Sequence, residues 1–352
     1  TDTLDDRLLD LLANPNLCSR KKLFNSVDDR VSSDVLFPGQ CDAALLRIKS
    51  LESVRGERPT RAIATALRGN TLYSSIDPYL GGVHAVAEAM RALSATAAQP
   101  AAVGQGLFYG SLSDYKQRSE FSEGVRGLSD ACRSWHIPIV AESVDFRANT
   151  SAGTVLPTPA VYMVGVCSDI TKVRPMHFDE REDVIFVLGA SRNEIATSEY
   201  ETFLKDRVTP PPPDIDFAFE RKVCDLVCEL LNDELLKSAH SITAGGIALG
   251  ICEASLLRAK PIGARLKIFP REGASPEVLL FGESSGRFVI SLAEQHRERV
   301  TATCSKFGIP LLAEGRVGGR EITFEEGAKC SIPLSSAAHI FGGGLDHLMS
   351  GG

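Results

Sequence analysis

Three glycine-rich stretches do most to limit what this chain can become: GGVHAVAEA over 81–89, TAGGIALGICEA over 243–254 and LLFGESSGRF over 279–288. In each, glycines sit where a backbone must turn or come close to something, beside segments with strand or helix periodicity. That something is either a packed helix or sheet, or a phosphate met by exposed amides. Neither the P-loop pattern nor a Gly-x-Gly-x-x-Gly behind a strand occurs, so the glycines alone leave both readings open.

Around these stretches, strands and helices alternate. Helical periodicity runs through LDDRLLDLLA to the turn at Asn14, Pro15 and Asn16, and again over 81–94, 115–134, 217–236 and 293–307. Strands are expected after the Pro38–Gly39 turn up to Ile48, and over 61–67, 100–107, 138–144, 160–166, 184–188, 279–281 and 288–292, with short strands and a glycine-rich tail closing the chain. Four prolines, Pro210 to Pro213, force an extended segment before the 217–236 helix. Strands and helices recur twice with few strict βαβ crossovers, which predicts an α+β fold. The polar stretch from Ile170 to Glu182 sets a boundary between a domain at 1–170 and one at 171–352. A length of 352 residues agrees, at roughly 150 residues per domain. The helices at 82–93 and 119–133 should pack on the first sheet through Val83, Val86, Met90, Val125 and Leu128.

Composition excludes several classes. With 38 basic against 45 acidic residues, there is no global positive field for nucleic acid. No apolar run approaches the ~18 residues of a membrane helix, and the acidic start TDTLDDRLLDLL does not read as a targeting peptide, which points to the cytoplasm. The nine cysteines are scattered, except for Cys224 and Cys228 on one helix face, and read as small buried hydrophobes. No His-Glu-x-x-His, Cys-x-x-Cys or Gly-x-Ser-x-Gly motif supports a transition-metal site or a hydrolase triad. Asp28, Asp29, Asp42 and Asp77 lie near turns but are spread out, and Asp77 before Pro78 suits a cap. His240 precedes the Thr243–Gly246 turn, either as the rim of a site or as a structural histidine.

Taken together, LLANPNLCSRKKLF, PGQCDAALLRI, SIDPYLGGVHAVAEAMRAL, LPTPAVYMVGV, ATSEYETFLK, SAHSITAGGIALGICEASL, LLFGESSGRFVISL, LAEGRVGGREI and LSSAAHIFGGGLDHLMSGG run in the order of one known family. The chain resembles the second half of phosphoribosylformylglycinamidine synthase, within the aminoimidazole ribonucleotide synthetase-like superfamily. That resemblance implies an α+β fold with an N-terminal sheet that forms a barrel-like dimer interface and a C-terminal sheet backed by helices. It implies ATP-dependent formation of an amidine from an amide-type carbonyl, with ammonia delivered by a glutaminase component. Where nucleotide binds, it implies ATP or ADP with Mg²⁺; because this chain departs from the family pattern at its acidic positions, we expect no tightly held metal here. By matching position, the nucleotide or phosphate candidates are Asp42, Asn70, His240, Gly245, Gly246, Glu283 and Arg287. Asp42 and Glu283 are the candidates to hold a cation. Arg287 would anchor phosphate or form a buried ion pair with Glu283.

The sequence departs from the family pattern at polar positions. Arg68 replaces the acid of a Thr-Asp-x-Asn stretch, while Asn70 remains. Where the family reads Asp-x-x-Asn-Phe-Gly-Asn-Pro, residues 105–112 read QGLFYGSL. Where it reads Gly-Asn-Val-Ser-Leu-Tyr-Asn-Glu-Thr, residues 142–150 read ESVDFRANT. The motif His-Asp-x-Ser-Asp-Gly-Gly becomes HSITAGG at 240–246, without either aspartate. Scaffold residues such as Pro78, Tyr79, Gly81, Gly82, Pro157 and Pro159 are kept. We therefore assign no catalytic residue. Three readings follow: a catalytically degenerate half that pairs with a first-half synthetase homologue, a homodimeric enzyme of altered substrate using Arg68, Glu142 and Arg147, or a repurposed scaffold.

Overall fold

The computed structural model describes residues 3–24, 34–49, 60–147, 149–150 and 153–346. Asp28 and Asp29 lie outside the described residues. Strands β1 (Val35–Leu36), β2 (Ala44–Arg47), β3 (Ala62–Arg68), β4 (Gln99–Phe108), β5 (Ile139–Asp145) and β8 (Thr158–Cys167) build a sheet of order β1-β2-β3-β8-β4-β5, with β6 (Asn149–Thr150) and β7 (Gly153–Thr154) a separate ribbon. Only β4 and β5 run parallel. The second sheet takes β9 (Val184–Gly189), β10 (Ser238–Ile242), β11 (Ala264–Ile268), β12 (Arg287–Leu292), β13 (Leu311–Val317), β14 (Glu321–Phe324) and β15 (Cys330–Pro333), in the order β10-β12-β9-β13-β11-β14-β15.

Alternation along β3 and β8 sends one set of side chains inward, including Ala62, Ala64, Val161 and Met163. The Pro78–Ser94 helix covers that inner face, with Val83, Val86 and Met90 fully buried. Asp77 caps it by accepting from the Leu80 amide at 3.0 Å, and Pro78 opens the first turn. The Tyr115–Ser134 helix packs on the Pro78–Ser94 helix through Leu128 and, half-buried, Val125. Glycine is required at that crossing. A Cβ on Gly82 would come within 2.3 Å of the Gly124 carbonyl oxygen, and one on Gly127 within 2.0 Å of that of Tyr79. At Gly82 the glycine therefore serves helix packing.

In the second sheet β9, β10 and β12 are buried on both faces, whereas β11, β13, β14 and β15 bury one face only. Phe186, Leu188, Phe288 and Ile290 join the core of the first lobe together with the Phe217–Asn232 and Arg297–Phe307 helices. Ile185, Val187 and Val289 face the Gly246–Leu256 and Leu334–Gly343 helices.

The structure corrects four expectations. Residues 279–281 belong to a helix, Pro276–Phe281, because Ser275 accepts from the Val278 amide and Pro276 starts the turn. The 217–236 helix stops at Asn232, with Glu234 in the left-handed region at φ +57°. Residues 334–343 form a helix with Ala337 and Phe341 turned inward. The N-terminal helix, Leu4–Ala13, packs not with the first sheet but with the second lobe, burying Leu8, Leu11 and Leu12 in its core. Its neighbours are Leu334–Gly343 and β15, so the first 170 residues do not form one spatial unit.

Candidate functional site

Asp42 leaves the loop before β2 and is buried against β10. Its Oδ1 accepts from His240 Nδ1 at 2.6 Å and its Oδ2 from the Ser241 amide at 2.6 Å. On the other side of the ring, His240 Nε2 donates to Glu253 Oε2 at 3.0 Å. Burial alone would lower the imidazole pKa, but the charges and hydrogen bonds of Asp42 and Glu253 outweigh it and raise the pKa to about 10. Burial would likewise raise the Asp42 pKa, yet the imidazolium and the Ser241 amide hold it below the usual carboxylate range. The site histidine is thus a buried cation between two carboxylates, joining the first lobe to the second.

Glu283 makes a second bridge. Its Oε1 accepts from the Gly245 amide at 2.8 Å and the Glu199 amide at 2.9 Å, and its Oε2 from the Tyr73 hydroxyl at 2.6 Å. Burial pushes its pKa up to about 7 against the pull of these donors. Gly245 and Gly246 both have positive φ, and a Cβ on Gly246 would lie 2.6 Å from the carbonyl oxygens of Gly282 and Leu280. The amide of Gly245 therefore meets a protein carboxylate. Arg287 is fully buried and forms no ion pair with Glu283, contrary to one expectation. Its Nε and Nη2 donate at 2.7 Å to the carbonyls of Ser284 and Gly282, tying the loop.

A cleft of about 490 Å³ lies between the lobes, lined by Asn70, Thr71, Tyr73, Glu199, Thr243 and Glu283 among others. Of the seven candidates, only Asn70 and Glu283 line it. Asn70 Oδ1 is occupied in capping the Thr71–Ile76 helix through the Tyr73 amide. Arg68 turns to the backbone, donating to the Leu67 and Asp42 carbonyls at 2.9 and 3.0 Å. Arg147 lies against Asp145, and Glu142 stands on exposed β5. Neither these two nor Arg68 is among the residues lining the cleft.

The cleft is instead furnished by residues that the sequence reading missed. His84, Glu88 and Arg91 project from the Pro78–Ser94 helix, and Arg20 comes from the segment after the N-terminal helix. Positions 84, 88 and 91 follow a helical stripe, and three polar residues on one face of an apolar helix are the signal that could have found them. His84 Nε2 donates to the Pro213 carbonyl at 2.7 Å, and burial lowers its pKa to about 4, so the ring is neutral with Nδ1 bare. Glu88 Oε1 stands 4.0 Å from that nitrogen, and burial raises its pKa. Arg91 pairs with Glu220, both 2% exposed at the side chain, and also donates to Ser285 Oγ at 2.7 Å.

Residues 40–167 match the family described as AIR synthase related protein, N-terminal domain, and residues 180–325 match its C-terminal domain counterpart. The phosphoribosylformylglycinamidine synthase subunit PurL of Alkaliphilus metalliredigens is 31% identical over 98% of this chain and 46% of its own length. That of Nocardia farcinica is 32% identical over 99% of this chain and 44% of its own. The chain thus spans about half the length of the curated relatives it matches. Among solved structures, phosphoribosylformylglycinamidine synthase II of Thermotoga maritima superposes with a TM-score of 0.73 at 16% identity, over 96% of this chain and 52% of that one. Thermotoga maritima PurL complexed with ADP gives 0.67 at 16% identity, over 85% of this chain and 46% of that one. A Thermus thermophilus protein gives 0.63 at 17% identity, over 88% of this chain and 97% of that one. At these identities the structures establish the fold.

Proposed function

Because the chain belongs to the AIR synthase related family and carries both its N-terminal and C-terminal domains, we propose that it is one half of a paired, PurL-like, ATP-dependent amidine-forming synthetase. It works in the cytoplasm beside a glutaminase component. In this reading it is the catalytically degenerate half, and a first-half synthetase homologue supplies the chemistry across the interface. The single observation that carries the pairing is the outer face of the first sheet. Leu46, Ile63, Leu67, Tyr162, Val164, Val166 and Phe108 share that face by strand register. Leu67 is 62% exposed, Tyr162 45% and Val166 44%. A contiguous apolar sheet face of this kind is a liability unless covered. The relatives contain about as much chain again as this one, which is room for a second half to cover it.

Loss of chemistry in this half is supported by the engagement of its acids. Asp42 is neutralised by His240, and Glu283 is held by three donors. Native mass spectrometry of the complex purified from its source tests the proposal, with a synthetase first-half homologue as the expected partner. A homodimer that makes amidine from ATP, ammonia and an amide substrate would replace it with the second reading, a self-sufficient enzyme. That reading draws on the Thermus thermophilus protein, a half-sized chain of the same fold. A complex without any purine enzyme would favour the scaffold reading.

A further inference from the structure

The cleft between the lobes carries more acids than free bases. Glu88, Glu199 and Glu283 line it, and, beyond burial, all three carboxylates push the pKa of the Tyr73 hydroxyl up. Arg91 is matched by Glu220, so the exposed Arg20 is the opposing charge among the described lining residues. Amide and hydroxyl donors hold Glu199 and Glu283 in place without cancelling their charge. Burial raises the pKa of Glu88, and that of Glu283 to about 7. Mg²⁺, which the resemblance implies, does not fit this set: among the described residues no three His, Cys, Asp or Glu side chains are arranged to hold a metal ion.

The acceptors that stay open lie one turn apart on the Pro78–Ser94 helix. His84 is 2% exposed, and its ring packs edge-on against Tyr73 with centroids 4.8 Å apart. Its Nε2 lies 2.7 Å from the Pro213 carbonyl oxygen, which can only accept, so Nε2 carries the proton and Nδ1 a lone pair. Glu88 Oε1 stands 4.0 Å from Nδ1, too far for a hydrogen bond, and neither atom meets a donor among the described residues. A nitrogen about 2.8 Å from each would see the two acceptors about 90° apart, a spread that two hydrogens of one ammonium group can serve. Such a group has donors only, and its charge offsets the carboxylates around it. The cations nearest Glu88 are Arg91, paired with Glu220, and Arg68, which donates to the Leu67 and Asp42 carbonyls and does not line the cleft. At about 490 Å³ the cleft has room for a small organic ligand around that group.

We propose that His84 and Glu88 form a receptor for a primary ammonium group, carried by a small organic amine seated in the cleft. The inference goes beyond the proposed function and holds whether or not the chain pairs. Titration of the full chain at pH 7 with butylammonium, ammonium and tetramethylammonium chlorides tests it, read by the nitrogen resonances of the His84 ring, which His84→Gln assigns. Butylammonium should bind with about millimolar affinity and shift the Nδ1 resonance, because Nδ1 gains a donor. Tetramethylammonium, which has the charge but no N–H, should do neither. Ammonium binding as tightly as butylammonium would keep the receptor and assign it to the free ion. Glu88→Gln, isosteric and uncharged, should weaken butylammonium about tenfold, the loss of one charge-assisted hydrogen bond. Arg20→Ala, in an exposed segment, should tighten it, since a repelling charge is gone. Equal binding of tetramethylammonium, or no binding of butylammonium and ammonium, would overturn the proposal. So would an unchanged affinity in a folded Glu88→Gln, which would mean that Glu88 is a neutral acid serving His84 alone. Should Glu88→Gln fail to fold, the sign at Arg20→Ala decides: weaker binding would make Arg20 the anchor of an anion, and the ammonium reading fails.

Discussion

His240 is held between Asp42 and Glu253, and its charge is the cation that makes the buried Asp42 tolerable. Removing one partner of a buried pair costs about 3–5 kcal/mol, because the other charge is left uncompensated. His240→Ala should therefore lower stability by about 3 kcal/mol in urea denaturation at pH 7. The pH dependence gives a sharper test. The imidazole pKa rises from 6.5 in the unfolded chain to about 10 in the fold. Its contribution is then complete below pH 6.5 and lost as pH climbs through about 10. Glu283, raised from 4.5 to about 7, adds a loss over the lower window between those values. The parent should lose stability steadily from pH 7 to 10, whereas His240→Gln should be flat there; equal slopes in the two proteins would refute the assignment. At this scale the sequence reveals some residues and hides others. His240 and Glu283 stand out beside glycine turns, but their partners lie far along the chain, at Asp42 and Tyr73. Those partners determine whether a carboxylate faces a ligand or a neighbour. His84, Glu88 and Arg91 form a visible helical stripe, yet in sequence they merge with the apolar helix that carries them.

Two helices meet where glycine permits it, and that contact can be probed by a sign. An exposed helical glycine changed to alanine gains about 1 kcal/mol from helix propensity. Gly127→Ala should instead destabilise by about 1–3 kcal/mol, since its Cβ would press on the Tyr79 carbonyl oxygen at 2.0 Å. A rise in melting temperature would show that the helices can separate at no cost. The Arg91–Glu220 pair ties the Pro78–Ser94 helix to the Phe217–Asn232 helix. Glu220→Gln alone should cost about 3 kcal/mol, and Arg91→Met with Glu220→Leu should recover much of it, because the paired apolar groups leave no buried charge. A double variant whose loss equals the sum of the two single losses would mean that the pair has no special coupling. Elements with long periodicity, such as 115–134, are legible in the sequence to the residue. Residues 279–281 are not, because three apolar residues fit a strand or a helix equally, and the Ser275–Pro276 start decides. The placement of the N-terminal helix is hidden for another reason: amphipathicity shows that Leu8, Leu11 and Leu12 need a cover, not which lobe provides it.

At the scale of the whole molecule, two lobes share a continuous core, yet the first sheet is finished on one face only. The inner face is closed by helices, and the outer one shows Leu67, Tyr162 and Val166 to solvent. Nothing in the folding of a single chain calls for those side chains on that face, because polar residues would fit the outward positions of β3 and β8 equally well. Their presence makes sense if the face is buried in the working assembly. Leu67→Glu follows from this. Glu at an exposed strand position should change the stability of the isolated chain by less than about 0.5 kcal/mol. In the complex, the same carboxylate would be taken out of water without a partner, which should weaken association at least tenfold. Sedimentation of parent and variant over a concentration series, alongside urea denaturation of each, separates the two effects. If Leu67→Glu leaves the assembly intact, the outer face is not the interface. If it unfolds the chain, the residue belongs to the core of the monomer, and the argument from exposure fails. Dissociation into a stable folded chain is the one outcome that the apolar face predicts.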